Sequence, residues 1–189
     1  MGRIIRQSIV MLGVLTVLTG IVYPLVVTGL AQVIFPHAAN GSLLVRDGKP
    51  IASELIGQVF TDPKYFWSRP SATSPFPNNS ALSSGSNLGP TNSALTAAVK
   101  QRIEALRAAD PGNTEPVPVD LITTSGSGLD PHISPAAAIY QMARVVRVRG
   151  ISPEQVKAMI AQASAGRQLG LLGEPRVNVL QLNLLLDGR

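Results

Sequence analysis

The chain has 189 residues, 45% of them hydrophobic and 14% charged, with 16 basic against 11 acidic side chains and no cysteine. Without thiols, disulfides, thiolate metal sites and cysteine nucleophiles are excluded outright. The formal net charge of +5 is a weak bias rather than a concentrated basic face with interleaved aromatics, which excludes nucleic acid as a partner class.

No charged side chain lies between Arg6 and His37, and residues 9–35 read IVMLGVLTVLTGIVYPLVVTGLAQVIF. This predicts a membrane-spanning helix anchored by Ile9, Leu12, Leu15, Leu18, Ile21, Tyr23, Pro24 and Leu25. About 20 apolar residues cross the hydrocarbon core, where a helix satisfies its own amides. Gly29-Leu30-Ala31 has the small-x-small form of a cleavage site, yet the run before it exceeds the roughly 7–15 apolar residues of a secretory signal. An uncleaved, single-pass anchor is therefore expected over residues 1–36. Pro24 predicts a kink or marks where the span approaches the outer interface, and Tyr23 beside it suits an interfacial aromatic. Arg3, Arg6 and the terminal amine precede the span, whereas the mixed set Arg46, Asp47, Lys49 and Glu54 follows it. The positive-inside rule then predicts a cytoplasmic N-terminus in a bacterial inner membrane and an extracytoplasmic, periplasmic domain over residues 37–189. That remainder carries about +3 and suffices for a single core.

In chain order, SLLVRDGKPIAS places two short apolar runs around Asp47-Gly48, which predicts a tight hairpin. Residues 61–90 are rich in Pro, Ser, Asn and Gly but hold Tyr65, Phe66 and Trp67, so an ordered, aromatic-anchored surface loop is expected rather than disorder. Leu95, Val99, Ile103 and Leu106 recur at helical spacing behind the candidate caps Thr91-Asn92-Ser93, and the helix ends near Asp110-Pro111-Gly112. VPVDLITT reads as a buried strand closed by the turn SGSG. Ser134-Pro135 opens a helix from Ala136 to about Arg149 that Gly150 stops. Ser152-Pro153-Glu154-Gln155 caps the next, whose apolar stripe is Val156, Met159, Ile160 and Ala163. For VNVLQLNLLLD, the alternating leucines suggest a strand, while Asn178 with Gln181 three residues on favours a capped helix. The expected fold class is α+β: one N-terminal transmembrane helix and one helix-rich extracytoplasmic domain.

Enzyme templates fail. The two histidines, His37 and His132, have no supporting metal-ligand spacing, and Gly126-Ser127-Gly128 lacks the outer glycine of a nucleophile elbow because Ser125 stands there. Leu82-Ser83-Ser84-Gly85-Ser86 only echoes an ABC-transporter signature, and no phosphate-loop GK[ST] is present. No catalysis, cofactor or metal is expected of this chain alone. Arg144, Arg147 and Arg149 read as a solvated helix face before they read as a site.

The strings GSLLVRDGKPIASELIGQVF, YFWSRPSA, SSGSNLGPTN, VPVDLITTSGSGLDPHISPAAA, Q-x-x-R-V and VNVLQLNLLLD occur in this order behind the single span. Together they resemble the KdpC family, the C subunit of Kdp potassium-transporting P-type ATPases, nearly end to end. The departures are Ser84 in place of a family glycine, Asp120 in place of the usual Glu, and the variable stretch Asp130-Pro131-His132. The resemblance implies a non-catalytic accessory subunit of a high-affinity potassium uptake pump, needed for assembly. It would lie over the outward mouth of the channel-like subunit KdpA, with KdpB as the ATPase, KdpF as a very small further subunit, and membrane lipid around the span. It also implies Arg69, Asn87, Asp130, Gln141 and Arg144 as candidate partner-interface residues. Gln141 and Arg144, three apart, share a helix face and could bond a partner's loop together, or instead tie the helix to its own domain. Two other classes stand beside this one: a free-standing anchored binding or sensory domain, and a cell-envelope hydrolase.

A reporter fused after Arg189 is expected to be active only outside the cytoplasm, and replacing Arg3 and Arg6 together by glutamate should reduce correct insertion. Reporter activity in the cytoplasm would refute the orientation.

Overall fold

A long apolar run can satisfy its main-chain groups in lipid only within itself. In the computed structural model, which describes residues 1–188, it forms a continuous 33-residue helical stretch, Gly2–Ile34. At 1.5 Å per residue this is about 50 Å long, more than the hydrocarbon core requires. It consists of α1 (Gly2–Val17), a wider π-helical turn (Leu18–Val22) and α2 (Tyr23–Ile34), none of which buries a side chain. The irregularity expected from Pro24 takes the form of that π turn. Proline has no N–H for the carbonyl four residues back and crowds the preceding turn, so the helix widens just ahead of it. Thr19 Oγ1 of this turn donates back to Leu15 O of α1 at 2.7 Å. A four-residue helix, α3 (Pro36–Ala39), follows. The hairpin is as expected: β1 (Leu43–Arg46) and β2 (Lys49–Ser53) pair antiparallel, with Asp47 and Gly48 both at positive φ, 50° and 72°. That pair of left-handed residues is what a two-residue turn between right-twisted strands requires. Met1–Ser53 forms one compact unit, and a second begins at Glu54.

The second unit is helix-rich α+β. Its helices are α4 (Ser93–Ala109), α5 (Pro135–Arg149), α6 (Pro153–Gln162) and α7 (Val179–Leu186). Each start follows a local cap. Asn92 accepts from Ala94 N, Ser134 from Ala137 N, Ser152 and Gln155 close a reciprocal capping box, and Asn178 accepts from Gln181 N. The sheet is small, with β5 (Arg176–Asn178) between β3 (His132–Ile133) and β4 (Ser164–Ala165), both neighbours antiparallel. Helix α6 packs on α5 and α7, and α5 and α7 pack on β5, around Val145, Val156, Ile160, Val177, Val179 and Leu182. The last segment thus divides: its first residues form the central strand and the leucine run forms α7.

One expectation fails. VPVDLITT is not a strand but a single 3-10 turn, Val119–Leu121, although Leu121 and Ile122 are buried. Pro118 has no N–H for a ladder. Asp120 instead spends its carboxylate on Ser134, accepting from N at 2.7 Å and Oγ at 3.2 Å, and Thr123 Oγ1 donates to Val119 O at 2.7 Å. The segment's N–H groups close on its own carbonyls, Leu121 N on Pro118 O and Thr123 N on Val119 O, while the side chains of Arg102 and Arg69 take the carbonyls of Ile122 and Thr124, so the segment curls.

Two glycines separate conformational strain from close approach. Gly128 lies at φ 69°, where an added Cβ would sit 2.5 Å from Ser84 O and 2.7 Å from Thr73 Cγ2; Gly150, the α5 stop, lies at φ 65° with nothing within 4 Å. Gly150→Ala should therefore cost only the left-handed penalty, about 1–2 kcal/mol. Gly128→Ala adds overpacking of about 1–3 kcal/mol and should be the more damaging in a thermal or urea unfolding series.

Candidate functional site

Helix α5 places Ala137, Gln141 and Arg144 on successive turns of one face, and the aromatic segment of the long loop runs along it. Gln141 pairs with the main chain of Trp67 in both directions: Trp67 N donates to Oε1 at 2.8 Å, and Nε2 donates to Trp67 O at 3.1 Å. Asn183 of α7 does the same for Phe66, with both bonds at 2.9 Å. Arg144 Nη2 donates to Tyr65 O and to Gln141 Oε1, each at 2.9 Å, and Arg149 Nε donates to Lys64 O at 2.7 Å. Four consecutive carbonyls, from Lys64 to Trp67, are thus held by four side chains of two helices. Phe66 enters the core fully buried, while the guanidinium groups of Arg144 and Arg149 lie 4.4 Å over the Trp67 ring and 4.8 Å over the Tyr65 ring.

Gln141 and Arg144 are each only 2% exposed. Burial pushes the Arg144 pKa down to about 10, partly opposed by the charges of Asp110 and Tyr140. The group stays protonated at neutral pH, held by oxygen dipoles and a ring face. Arg149 closes the far end of the loop's grip: Nη1 donates to Leu186 O and Nη2 to Asp187 Oδ1, both at 2.8 Å, and Tyr65 Oη bonds Asp187 Oδ2 at 3.0 Å. The expected solvated face of Arg144, Arg147 and Arg149 is accordingly corrected. Arg144 is buried and Arg149 nearly so, because loop carbonyls and an acidic partner await them. Only Arg147 reaches solvent, pairing with Asp110 at 2.8 Å.

A second cluster joins the next part of the loop to the 124–130 turn. Arg69 donates to Asp130 Oδ2 and Thr124 O, each at 3.2 Å, and Asp130 Oδ1 accepts from His132 N at 3.0 Å and faces His132 Nδ1 at 3.1 Å. Burial pushes the Asp130 carboxyl up, but the hydrogen bonds and charge of His132, together with Arg69, outweigh it and leave the group below its ordinary value. Ser71 Oγ bonds Gly128 O at 2.6 Å and Ser84 N bonds Ser127 O at 2.9 Å. Asn87 is exposed at φ 50°, beside Ser86, whose Oγ accepts from Thr124 Oγ1 at 3.1 Å. Arg69, Asp130 and the Asn87 neighbourhood therefore meet at Thr124, whereas Gln141 and Arg144 grip the segment before them. An open cleft of about 620 Å3 runs past Arg69, Asp130 and His132, and one of about 840 Å3 lies beside Asp110, Pro116 and Ile139. Among the described residues no three His, Asp or Glu side chains are grouped to hold a metal.

The arrangement binds and shapes a loop. Sequence reasoning missed Asn183 and Arg149 as members of the clamp. The available signal was an amide, Asn183, set between Leu182 and Leu184 in the leucine run of α7, where an apolar face offers no reason for it.

A sequence profile described as "KdpC: K+-transporting ATPase, c chain" matches residues 5–188. Relatives named "Potassium-transporting ATPase KdpC subunit" include one from Polaromonas naphthalenivorans, 64% identical over 187 residues, 99% of this chain and 95% of the relative. Another, from Methylococcus capsulatus, is 62% identical over 182 residues, 96% of each chain. A third, from Dechloromonas aromatica, is 60% identical over 187 residues, 99% of this chain and 98% of the relative.

Gln141→Ala and Arg144→Ala should each lower the melting temperature of the full chain by several degrees, since an unmade bond to a buried group costs about 1–3 kcal/mol. An unchanged melting temperature for both would refute the clamp. Asp130 contributes stability that is present above its unfolded pKa of 3.8 and is lost as pH falls through its lower folded value. Asp130→Asn should therefore melt below wild type at neutral pH, and the gap should narrow in melts run below about pH 4.

Proposed function

The chain belongs to the KdpC family, the c chain of K+-transporting ATPases, and on that premise we propose a non-catalytic accessory subunit of an ATP-driven potassium uptake pump. Its work is to assemble the complex and to act at the outward mouth of the potassium-translocating subunit. The observation that carries this reading is the clamp. The polar residues of α5 and α7 spend their hydrogen bonds on the main chain of Lys64–Trp67, which is how a fold builds a fixed surface for another protein rather than a reaction centre. In this reading Gln141 and Arg144 hold the loop from beneath, and Arg69, Asn87 and Asp130, all at least partly exposed, stand at the side that meets a partner. The helical stretch Gly2–Ile34 anchors the chain in the inner membrane among lipid, N-terminus in the cytoplasm. The second unit then lies outside, against KdpA, with KdpB and KdpF completing the complex. Gly13, Gly20 and Gly29 interrupt the bulky span and allow close approach of a neighbouring helix.

Affinity capture of the tagged chain from solubilised membranes tests this directly. The potassium-translocating and ATPase subunits should co-purify in fixed proportion, and potassium-stimulated ATPase activity should vanish when this chain is deleted. The chain's own amount should fall severalfold in membranes that lack KdpA and KdpB. A chain that persists at full level alone and recovers no partner would instead support an anchored binding or sensory domain.

A further inference from the structure

The hairpin β1–β2 belongs to the unit of the span, Met1–Ser53, and its base is tied beside the span's end. The side-chain amides of Asn40 and Gln32 bond each other in both directions: Asn40 Nδ2 donates to Gln32 Oε1 at 3.1 Å, and Gln32 Nε2 donates to Asn40 Oδ1 at 3.3 Å. Asn40 Nδ2 also donates to Pro36 O at 2.7 Å. After α3 the chain has thus folded back to the level of Gln32, within the last turn of α2. Ser42 N donates to His37 O at 3.0 Å and Ser53 Oγ to Gly41 O at 2.7 Å, so β1 starts and β2 ends at this corner. At the same level Val33, Ile34 and Phe35 are exposed, Val33 to 82%, and such side chains belong against hydrocarbon. A strand of four residues reaches only about 14 Å from there.

The hairpin's own chemistry fits that place. Leu43, Val45 and Ile51 are exposed, and a two-stranded ribbon by itself is marginal in water. Arg46 and Lys49 are register partners beside the turn, and like charges directly opposite each other repel. Asp47 relieves this little, since its side chain is 93% exposed and comes no nearer than 3.9 Å to Arg46 Nε. An anion between the two cations would turn the repulsion into attraction. Apolar side chains with basic groups next to them mark an element that lies in a bilayer interface, its apolar groups toward the acyl chains and its cations among the phosphates. We propose that the β1–β2 hairpin lies on the outer surface of the bilayer, with the phosphate of an anionic phospholipid between Arg46 and Lys49, a proposal that rests on the membrane anchoring argued above. The hairpin then fixes the depth of the span's outer end, which a helix longer than the hydrocarbon core does not fix by itself.

Because the chain contains no cysteine, Ile51→Cys and, in a separate sample, Leu25→Cys each create a unique labelling site in the full protein. The labelled chains are placed in nanodiscs of phosphatidylcholine and phosphatidylglycerol, with nitroxide either high on the lipid acyl chain or near its end. A fluorophore at position 51 should be quenched severalfold more by the shallow nitroxide, and one at position 25 more by the deep one. Exchanging phosphatidylcholine for phosphatidylglycerol should strengthen the shallow quenching at position 51 about twofold. The double variant R46Q/K49Q should melt as wild type yet lose this dependence on phosphatidylglycerol, a combination that a purely structural role would not produce. Shallow quenching at position 51 should persist after the partner subunits have been assembled with the chain. An unquenched label at position 51 beside a quenched one at position 25, quenching that disappears on assembly because a protein covers the hairpin, or a dependence on phosphatidylglycerol that survives in the double variant would each overturn the proposal while leaving the anchoring intact. An unquenched label at position 25 overturns both.

Discussion

A loop without regular secondary structure must still find partners for every main-chain group that it takes out of water, and this requirement organises the second unit. Between Lys64 and Trp67 the partners are side chains long enough to reach from a helix: two amides and two guanidinium groups. Amides suit the task because each offers a donor and an acceptor side by side, the same complement that a neighbouring strand would present. Guanidinium groups add reach and a flat face for an aromatic ring. Everything beneath serves their placement. Ser134 and Gly150 bound α5, so its inward face falls on the loop, and β5 delivers the chain to Asn178, whose cap sets the start of α7 and with it the direction of Asn183.

The strings that carry the family likeness are one connected network in space. YFWSRPSA is gripped by the Q-x-x-R turn and by the last helix, and SSGSN lies on the turn that follows VDLITT. These segments are far apart in the chain, so their likeness has a common physical origin: each is half of a hydrogen-bonded pair whose other half is another of the strings.

Legibility in the sequence followed the range of the interactions. The caps at Asn92, Ser134, Ser152 and Asn178, the stop at Gly150 and the Asp47-Gly48 turn were readable because each is decided within four residues. The segment from 117 to 124 was misread because its apolar pattern argued for a strand, while the deciding bonds run from Asp120 to Ser134, well outside any local window. Strands as short as β3 and β4, two residues each, leave no periodic trace. Helical spacing put Gln141 and Arg144 on one face and left open whether they meet a partner or brace their own domain, but their depth was not visible. An arginine at position 144 or 149 looks solvent-seeking until the loop carbonyls about 80 residues upstream are brought to it.

The grip on residues 64–67 also fixes how this loop can move. Its bonds end on α5 and α7, and α5 is in turn tied through Ser134 to Asp120 at one end and through Arg149 to Asp187 at the other. A flap needs a hinge and a seam that opens more easily than the fold, and here the seam runs through buried amides and a buried phenylalanine. The amide protons of Phe66 and Trp67 are therefore shielded by the same event that separates the helices. The segment shares the lifetime of the folded core, not the microsecond flicker of a surface loop, and whatever it touches meets a fixed surface that is present before contact is made.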